Sequence, residues 1–490
     1  MGGLSMAKAG MSVLSRDDRE KVHQAALRIL AETGVKVESP AVLDGLSRAG
    51  ARVDLDAQRA WLDERVVSEA LRTAPRKVRI CSRGGRDHVV PEEGVQLIST
   101  DGEPPAVLDL DMGVKRPSTL KDLIDLVVLA DALPEVGFVW PPVVATDMPS
   151  DRSSYYEFLA AVSYSSKHIQ HGAASSDEAR FQIEVCSAIL GSEDELRKRP
   201  IFSDVCTPIS PLRYDQGEAE AMAALAKAGV PVVHLSMAIA GSVTPVTVAG
   251  SLAVIAAENL CGLTMSQAAS PGAPCIYSSF SGVTDLRSGV FLCGTPEGIL
   301  MDTAAIEMAH HYGLPSCAGG PSNSSRSLTT EAGYQTGITA MASLLTGSDL
   351  LVGLGGLDRA SMVSPEKLVM DCEAWRWLER LRRGISIDDD TLGLDAVKRQ
   401  GPGGVFLSDP HTLKHMRKDL MIPQVTGYHP PGQPDPMRDE MVEFARKKVK
   451  DILATHKPLP LDKDVVERVR AVAKRHGVAV EEGSPVLGRA

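Results

Sequence analysis

The side chains best suited to chemistry lie in a loop rich in glycine and hydroxyl groups, residues 319–335. It contains Arg326, Glu331 and Tyr334, and the short apolar strand Asp349–Gly353 follows it after a helical pattern of small residues. A guanidinium can pair with a carboxylate, and an acid or an aromatic ring can hold a cation. The same types have ordinary uses, because acids favour helix N-termini and arginine favours surfaces. The loop is therefore a candidate site with a structural alternative.

Further candidates stand at the ends of other predicted strands. Aromatic residues make up only 4% of the chain, so each aromatic at a strand end has few rivals. Aromatic faces bind organic cations, but the same side chains also serve as core residues. We predict substrate contacts at these strand ends from Trp140, His171, His234, Tyr277 and Phe280.

Metal and hydrolytic chemistry are the weaker hypotheses. His168 and His171 are three apart on a predicted strand, so they point to opposite faces and do not share a metal ion. Asp204 and Cys206 share a face and with His234 could bind zinc, which we keep as a minor alternative. The eight cysteines are scattered without a Cys-x-x-Cys pair, which predicts buried free thiols. The sequence has neither a Gly-x-Ser-x-Gly elbow nor a His-Glu-x-x-His helix.

Helical segments alternate with brief apolar strands from Thr119 onward. Eight alternations over about 250 residues predict an α/β chain built on one (β/α)₈ TIM barrel. An open doubly wound sheet is the second choice, but it would favour an early Gly-x-Gly-x-x-Gly turn, which the sequence lacks. We expect strands at 136–140, 168–172, 201–206, 232–237, 275–280, 315–318 and 349–353, with an eighth at 359–363.

Segments before and after this alternation have other patterns. Residues 1–115 combine amphipathic helices, the first capped by Ser15, with short β-like runs, and we predict an N-terminal α+β cap. Residues 116–385 are the predicted barrel. Residues 386–490 are a predicted C-terminal helical extension, with helices at 387–397, 439–456 and 462–476.

Composition narrows the function classes. The chain has 490 residues, 43% hydrophobic and 23% charged, and a net charge of −11. An acidic chain of this kind is not expected to bind nucleic acid. The sequence shows neither a signal peptide nor an apolar run of the ~18 residues that span a bilayer, so we expect a cytoplasmic protein without a membrane partner.

Segments along nearly the whole chain resemble the trimethylamine methyltransferase (MttB) superfamily. Four of them are VHQAALRILAETGVKVESPAVLDGLSRAGARVD, GSVTPVTVAGSLAVIAAENLCGL, GTPEGILMDTAAIEMAHHYGLPSCAGG and GPGGVFLSDPHTLKHMR. The resemblance implies a barrel that demethylates a methylated amine and passes the methyl group to the cobalt of a separate corrinoid protein. It implies no cofactor bound by this chain itself. Because only standard residues occur, the chain resembles the branch without pyrrolysine, which acts on small quaternary amines such as glycine betaine.

The loop departs from the family pattern. Many relatives have a loop close to Thr-Asp-Ser-Lys-x-x-Asp-x-Gln-Ala-Gly-Tyr, whereas this chain has hydroxyls at Ser324 and Thr329, Arg326 for lysine and Glu331 for glutamine. The resemblance implies that the pyrrolysine position of other members lies in or near residues 323–335, and we expect Tyr334 to be its equivalent. We predict Glu331 and Tyr334 as catalytic residues and Arg326 as a ligand of a substrate carboxylate.

The altered loop leaves alternatives open. A quaternary ammonium loses a methyl group without an acid or a base, so the protein has only to orient the cation and exclude water. The acceptor could instead be tetrahydrofolate or a thiol, or the barrel could bind betaines without catalysis. We also expect a homo-oligomer, because barrels of this size often pair.

Overall fold

Eight parallel strands close into a barrel in the computed structural model, which describes residues 10–425, 440–481 and 484–487. The strands follow chain order around the ring, so the predicted fold class is confirmed. The strands are β1 (Leu97–Thr100), β2 (Val136–Val139), β3 (His168–His171), β4 (Phe202–Cys206), β5 (Val232–Ser236), β6 (Cys275–Ser279), β7 (Ser316–Gly319) and β8 (Leu350–Leu354).

A main helix follows each strand and returns the chain to the start of the next. Side-chain caps start these helices: Thr119 forms a capping box with Asp122, and Pro296 and Pro365 occupy the first turn of two others. The helices are α1 (Leu120–Ala132), α2 (Ser153–Tyr164), α3 (Ser176–Leu190), α4 (Gln216–Ala228), α5 (Val248–Ala269), α6 (Pro296–His311), α7 (Thr330–Thr346) and α8 (Pro365–Arg382).

One barrel strand comes from the segment that we assigned to the cap. The predicted eighth strand at Arg359–Val363 is wrong, because Met362–Val363 pairs with Gly356–Leu357 and with Ala106–Asp109 in a separate small sheet. The ring is closed instead by β1, which pairs with both β8 and β2. No helix precedes β1 directly, so the strand–helix alternation does not reveal it. The boundary at residue 115 therefore falls after the first barrel strand.

A hairpin from the cap closes the N-terminal end of the barrel. Its strands, Val78–Ile80 and His88–Val90, place apolar side chains in the same cluster as the inward-facing barrel residues Val233, Ile276 and Leu350. At this end the Nδ1 atom of His168 lies 2.8 Å from the carbonyl oxygen of Cys81. Ligands consequently have access from the other end, where the strands finish.

The rest of the cap packs outside the barrel. Helices Arg16–Arg28, Pro40–Arg48 and Glu64–Thr73 contact α5. Ser15 forms the predicted cap of the first helix. Helix α5 is the one helix in the described residues that is long and apolar enough to cross a bilayer, and it is largely buried inside the protein. Other short elements are Ile29–Thr33, Val35–Val37, Arg52–Asp54, Arg59–Trp61, Val114–Pro117, Glu193–Lys198, Arg213–Tyr214, Ile239–Ala240, Gly282–Asp285 and Val290–Leu292.

Helices dominate the described part of the C-terminal extension, as predicted. The predicted helix at 387–397 is two short helices, Asp389–Leu392 and Leu394–Gln400, because Gly393 adopts a left-handed conformation between them. The long helices at Glu440–Thr455 and Lys463–Arg475 confirm the other two predictions, and the helix Pro410–Asp419 and the turn Pro485–Leu487 were not predicted.

Gly262 tests the fit between α5 and the barrel wall. A Cβ atom there would lie 2.5 Å from Nδ1 of His234, whose ring is buried. We expect Gly262→Ala to lower the free energy of unfolding by about 1–3 kcal/mol, because a packed wall cannot absorb the added methyl group. Gly337→Ala is the control, since nothing lies within 4 Å of its new Cβ. Urea denaturation in which both variants behaved alike would contradict this account.

Candidate active site

An acid and an indole meet where β1 and β2 end. Nε1 of Trp140 donates to Oε1 of Glu103 at 3.2 Å, and the backbone N–H of Glu103 donates to the carbonyl of Pro141 at 2.9 Å. Glu103 has φ +60°, a left-handed conformation that a residue other than glycine adopts at some energetic cost. The indole lies against Gly102, where a Cβ would come within 2.2 Å of the ring. The local backbone therefore fixes the carboxylate at the edge of the indole.

His171 lies beside this pair at the end of β3. Its Nδ1 is 2.7 Å from the carbonyl of Gly172, which can only accept, so Nδ1 carries the proton. Nε2 lies 3.7 Å from Oε1 of Glu103. The ring packs edge-on against Phe158 of α2. His171 is thus held in one orientation on the helix-facing side of β3, in register with Asp204, and its contact with a substrate stays a prediction.

A second aromatic and a second acid meet on the opposite side, at β6 and β7. Phe280, like Trp140, packs against the inner barrel cluster. Oδ1 of Asp302, from α6, accepts from the Ser279 hydroxyl at 2.9 Å and from the Ser281 N–H at 3.0 Å. A Cβ at Gly319 would lie 2.9 Å from Cδ2 of Phe280 and 3.1 Å from Oδ2 of Asp302. The glycine leaves room for both groups.

Carboxyl groups surround this end of the barrel. Burial raises the pKa of Asp302 to about 8, against the hydrogen bonds from Ser279 and Ser281. Burial raises the pKa of Glu157 and of Glu218 to about 7. It raises that of Asp204 well above its usual range, with Glu218 and Glu103 adding to the shift. In their ionised forms, carboxyl groups at this end of the barrel attract cations.

The predicted catalytic residues lie outside this group. Glu331 and Tyr334 are exposed in the first turns of α7, and Tyr334 is 55% accessible. The Arg326 side chain is 81% accessible, with Nε 3.6 Å from Oδ1 of Asp358. Nε2 of Gln335 lies 3.4 Å from a carboxylate oxygen of Glu331. The structure does not bring Glu331, Tyr334 or Arg326 into contact with Glu103 or Trp140.

The hydroxyls of Ser324 and Thr329 hold the loop itself. The Ser324 hydroxyl donates to the carbonyl of Cys293 at 2.8 Å and accepts from its N–H at 3.2 Å. The Thr329 hydroxyl caps α7 by accepting from the N–H of Ala332. Both hydroxyls therefore serve loop structure.

His234 and Tyr277 point away from the mouth. They are neighbours across β5 and β6, and both face the outer helices. The ring of His234 rests against Gly262, and that of Tyr277 lies 6.0 Å from Tyr312. Side chains alternate between the inside of the barrel and the outer helices along these strands. A shift of one residue along a strand therefore turns a side chain from the barrel interior to the outer helices.

The zinc hypothesis has no support in the geometry. Asp204 and Cys206 lie on the outward side of β4, and both are buried. The described residues contain no group of three or more His, Cys, Asp or Glu side chains placed to hold a metal ion.

Sequence reasoning missed Glu103 and Asp302. Glu103 precedes two prolines after an apolar run, a pattern typical of an ordinary turn. Asp302 lies within a helix, where an acid carries no signal for function. Both residues are recognised as candidates only because they lie beside the end of a barrel strand. That position becomes evident only once the strands close into a barrel.

Similarity to known proteins agrees with this architecture. The family model described as trimethylamine methyltransferase (MTTB) matches residues 3–479. The chain belongs to this family. It is 29% identical over 474 residues to a glycine betaine methyltransferase of Desulfitobacterium hafniense strain Y51, covering 96% of this chain and 98% of that protein.

Other relatives extend the match within the family. The trimethylamine methyltransferase MttB of D. hafniense strain DSM 10664 / DCB-2 is 28% identical over 475 residues and covers 96% of both chains. The crystal structure of the monomethylamine methyltransferase MtmB of Methanosarcina barkeri superposes with a TM-score of 0.52 at 14% identity, covering 92% of this chain and 90% of that one. That structural likeness supports the barrel fold.

The buried imidazole of His234 predicts a loss of stability in acid. Burial lowers its pKa from 6.5 to about 3, so between these values the unfolded chain binds a proton that the folded chain does not. The free energy of unfolding should therefore fall as the pH drops below 6.5. Urea titrations of His234→Leu and His234→Gln between pH 4 and 7 should show a shallower fall than the wild type. An unchanged pH dependence in both variants would contradict this.

Proposed function

We propose that this protein removes a methyl group from a small quaternary amine similar to glycine betaine and transfers it to the cobalt of a corrinoid protein. The observation that carries the proposal is the pairing of Glu103 with Trp140 at the mouth of the barrel, which offers a carboxylate and an aromatic face to one cation. The protein's membership in a family of methyltransferases supports methyl transfer as the reaction.

The site has to orient the substrate rather than exchange protons with it. The leaving group is a neutral tertiary amine, so the reaction requires no general acid. Glu103, Trp140 and Phe280 would hold the ammonium centre, and the aromatic rings would exclude water around it. One N-methyl group then faces out of the mouth. The partner's corrinoid supplies the nucleophile that receives this methyl group.

Partner, compartment and assembly are part of the same proposal. A corrinoid protein would dock over the mouth, against loops that follow the strands. We expect the enzyme to work in the cytoplasm as a homo-oligomer. Exposed apolar side chains of the C-terminal extension, among them Ile387, Leu394, Leu407 and Leu420, support an assembly surface there.

Charge recognition at Glu103 gives the first test. Glycine betaine and 3,3-dimethylbutanoate differ only in having nitrogen or carbon at the quaternary centre. We expect Glu103→Gln to weaken binding of glycine betaine roughly tenfold or more, where a factor of ten is about 1.4 kcal/mol, and to leave the carbon analogue nearly unchanged. Calorimetric titration of both ligands measures this. Equal losses for the two ligands would remove Glu103 from the cation site.

The same ligands test the aromatic wall and the predicted catalytic pair. Trp140→Leu should weaken the binding of glycine betaine roughly tenfold, because an aromatic face is lost from the cation site. Glu331→Gln should weaken binding of the cation more than binding of the analogue if Glu331 reaches the substrate. Equal effects on the two ligands would exclude Glu331 from the site.

Methyl transfer itself is tested by following the methylation of a reconstituted Co(I) corrinoid protein by absorbance. Betaine binding without methylation of Co(I), a folate or a thiol would favour the catalytically silent barrel.

A further inference from the structure

Asp302 is a buried acid with one oxygen free of the hydrogen bonds that anchor it. Oδ1 takes both the Ser279 hydroxyl and the Ser281 N–H. Oδ2 is turned toward the space above Gly319, where a Cβ would be only 3.1 Å away. The Phe280 ring borders the same space, at 2.9 Å from that Cβ position. An acid and an aromatic face are thus paired a second time at the mouth.

We infer that Asp302 is a second carboxyl group of the cation site, and that binding of a quaternary ammonium displaces its proton to solvent. The inference rests on the proposed function and names a residue and a proton balance for it. The neutral carboxylic acid loses one proton as the cation arrives, and the bound state is a carboxylate–ammonium pair. The ammonium itself has no proton to give.

The electrostatic surroundings of Asp302 fit this exchange. Burial is the main cause that raises its pKa to about 8, so the carboxyl is largely protonated at neutral pH in the free protein. The two serines oppose the shift only in part. On the neighbouring strand, burial raises the pKa of the Cys317 thiol to about 12, and Asp302 adds to that shift. The causes of the Asp302 shift include no lysine or arginine, so no basic side chain offsets its burial.

Other groups at the mouth titrate in a similar range. Burial raises the pKa of Asp101, after β1, to about 7, where Lys367 opposes the shift. Glu157 and Glu218, behind β3 and β4, also have pKa values near 7. A pH profile of the wild type therefore sums several groups, and only the difference between the wild type and an Asp302 variant isolates this one.

Asp302→Asn separates charge from structure. The amide oxygen can still accept from Ser279 and Ser281, while the ionisable group is lost. A purely structural role would therefore survive the change. Asp349→Asn is a matched control, because Asp349 accepts from the N–H and hydroxyl of Ser316, both at 2.8 Å, at the opposite end of the barrel.

Calorimetric titration of the full chain with glycine betaine, in two buffers of different ionisation enthalpy, counts released protons. At pH 7 we expect the wild type to release roughly nine-tenths of a proton from Asp302. Its affinity should rise by up to about tenfold per pH unit below pH 8 and level off above it. Asp302→Asn should show neither this proton release nor this part of the pH dependence. At pH 9 it should bind betaine roughly tenfold more weakly than the wild type. It should retain binding of 3,3-dimethylbutanoate. Asp349→Asn should match the wild type.

The outcomes distinguish this inference from the proposed function. Betaine binding by Asp302→Asn with the proton release and pH profile of the wild type would overturn the inference and leave the proposed function intact. A wild type that binds no quaternary cation at any pH would overturn both. Loss of both ligands by Asp302→Asn would assign Asp302 to loop structure and also overturn the inference.

Discussion

Burial of carboxyl groups without a basic partner is the constraint that shapes the mouth of this barrel. Glu218 and Asp302 are largely removed from water, and burial is the first cause of each raised pKa. Removing an acid from water without a counter-charge costs free energy, which protonation relieves. Such an arrangement contributes little to folding. It is better explained as a site prepared for a charge that arrives with a ligand.

The proposed reaction makes an adjustable charge useful. A quaternary ammonium enters as a cation and leaves as a neutral amine, so the positive charge on nitrogen fades during methyl transfer. Asp302, with a pKa of about 8, can take a proton again once the cation is gone. The site would then favour the charged substrate over the neutral product.

Sequence patterns specified the barrel well because its strands and helices are local. Seven of the eight barrel strands follow from the alternation of apolar runs with helical segments, since each run is short and buried on both faces. The strand Leu97–Thr100 escaped because no helix leads into it, and its role as a barrel strand depends on pairing with a strand about 250 residues away. Closure of a ring is a non-local property that periodicity cannot show.

The site was less predictable than the fold for a related reason. Trp140 and Phe280 were identified because they end strands and they pack on the inner cluster, but His171, His234 and Tyr277 also end strands and face the outer helices. The alternation along a strand determines whether a side chain faces the barrel interior or the outer helices. An error of one residue in the predicted strand end reverses that assignment. Glu103 and Asp302 lie in a turn and a helix, so their position at the mouth follows only from the closed ring.

Backbone strain gathers at the same end of the barrel. Glu103 is left-handed after β1, and Asp358, Arg359 and Ala360 form three consecutive left-handed residues after β8. The N–H groups of Asp358 and Arg359 donate to the carbonyls of Ser325 and Asn323. Burial would raise the pKa of Asp358, but a hydrogen bond from Lys115 and the charges of Lys115 and Arg359 hold it below its usual value.

These contacts join the altered loop to its neighbour and offset the cost of the left-handed turn. Strained residues persist where the surrounding structure fixes them, and here two strand-end loops fix each other. The fixed loops flank a mouth where Asp302 and Glu218 have no basic group among the causes of their raised pKa, so preorganised backbone and uncompensated acids occur at the same end of the barrel. Folding alone requires neither feature, and orientation of a cation for attack from outside benefits from both.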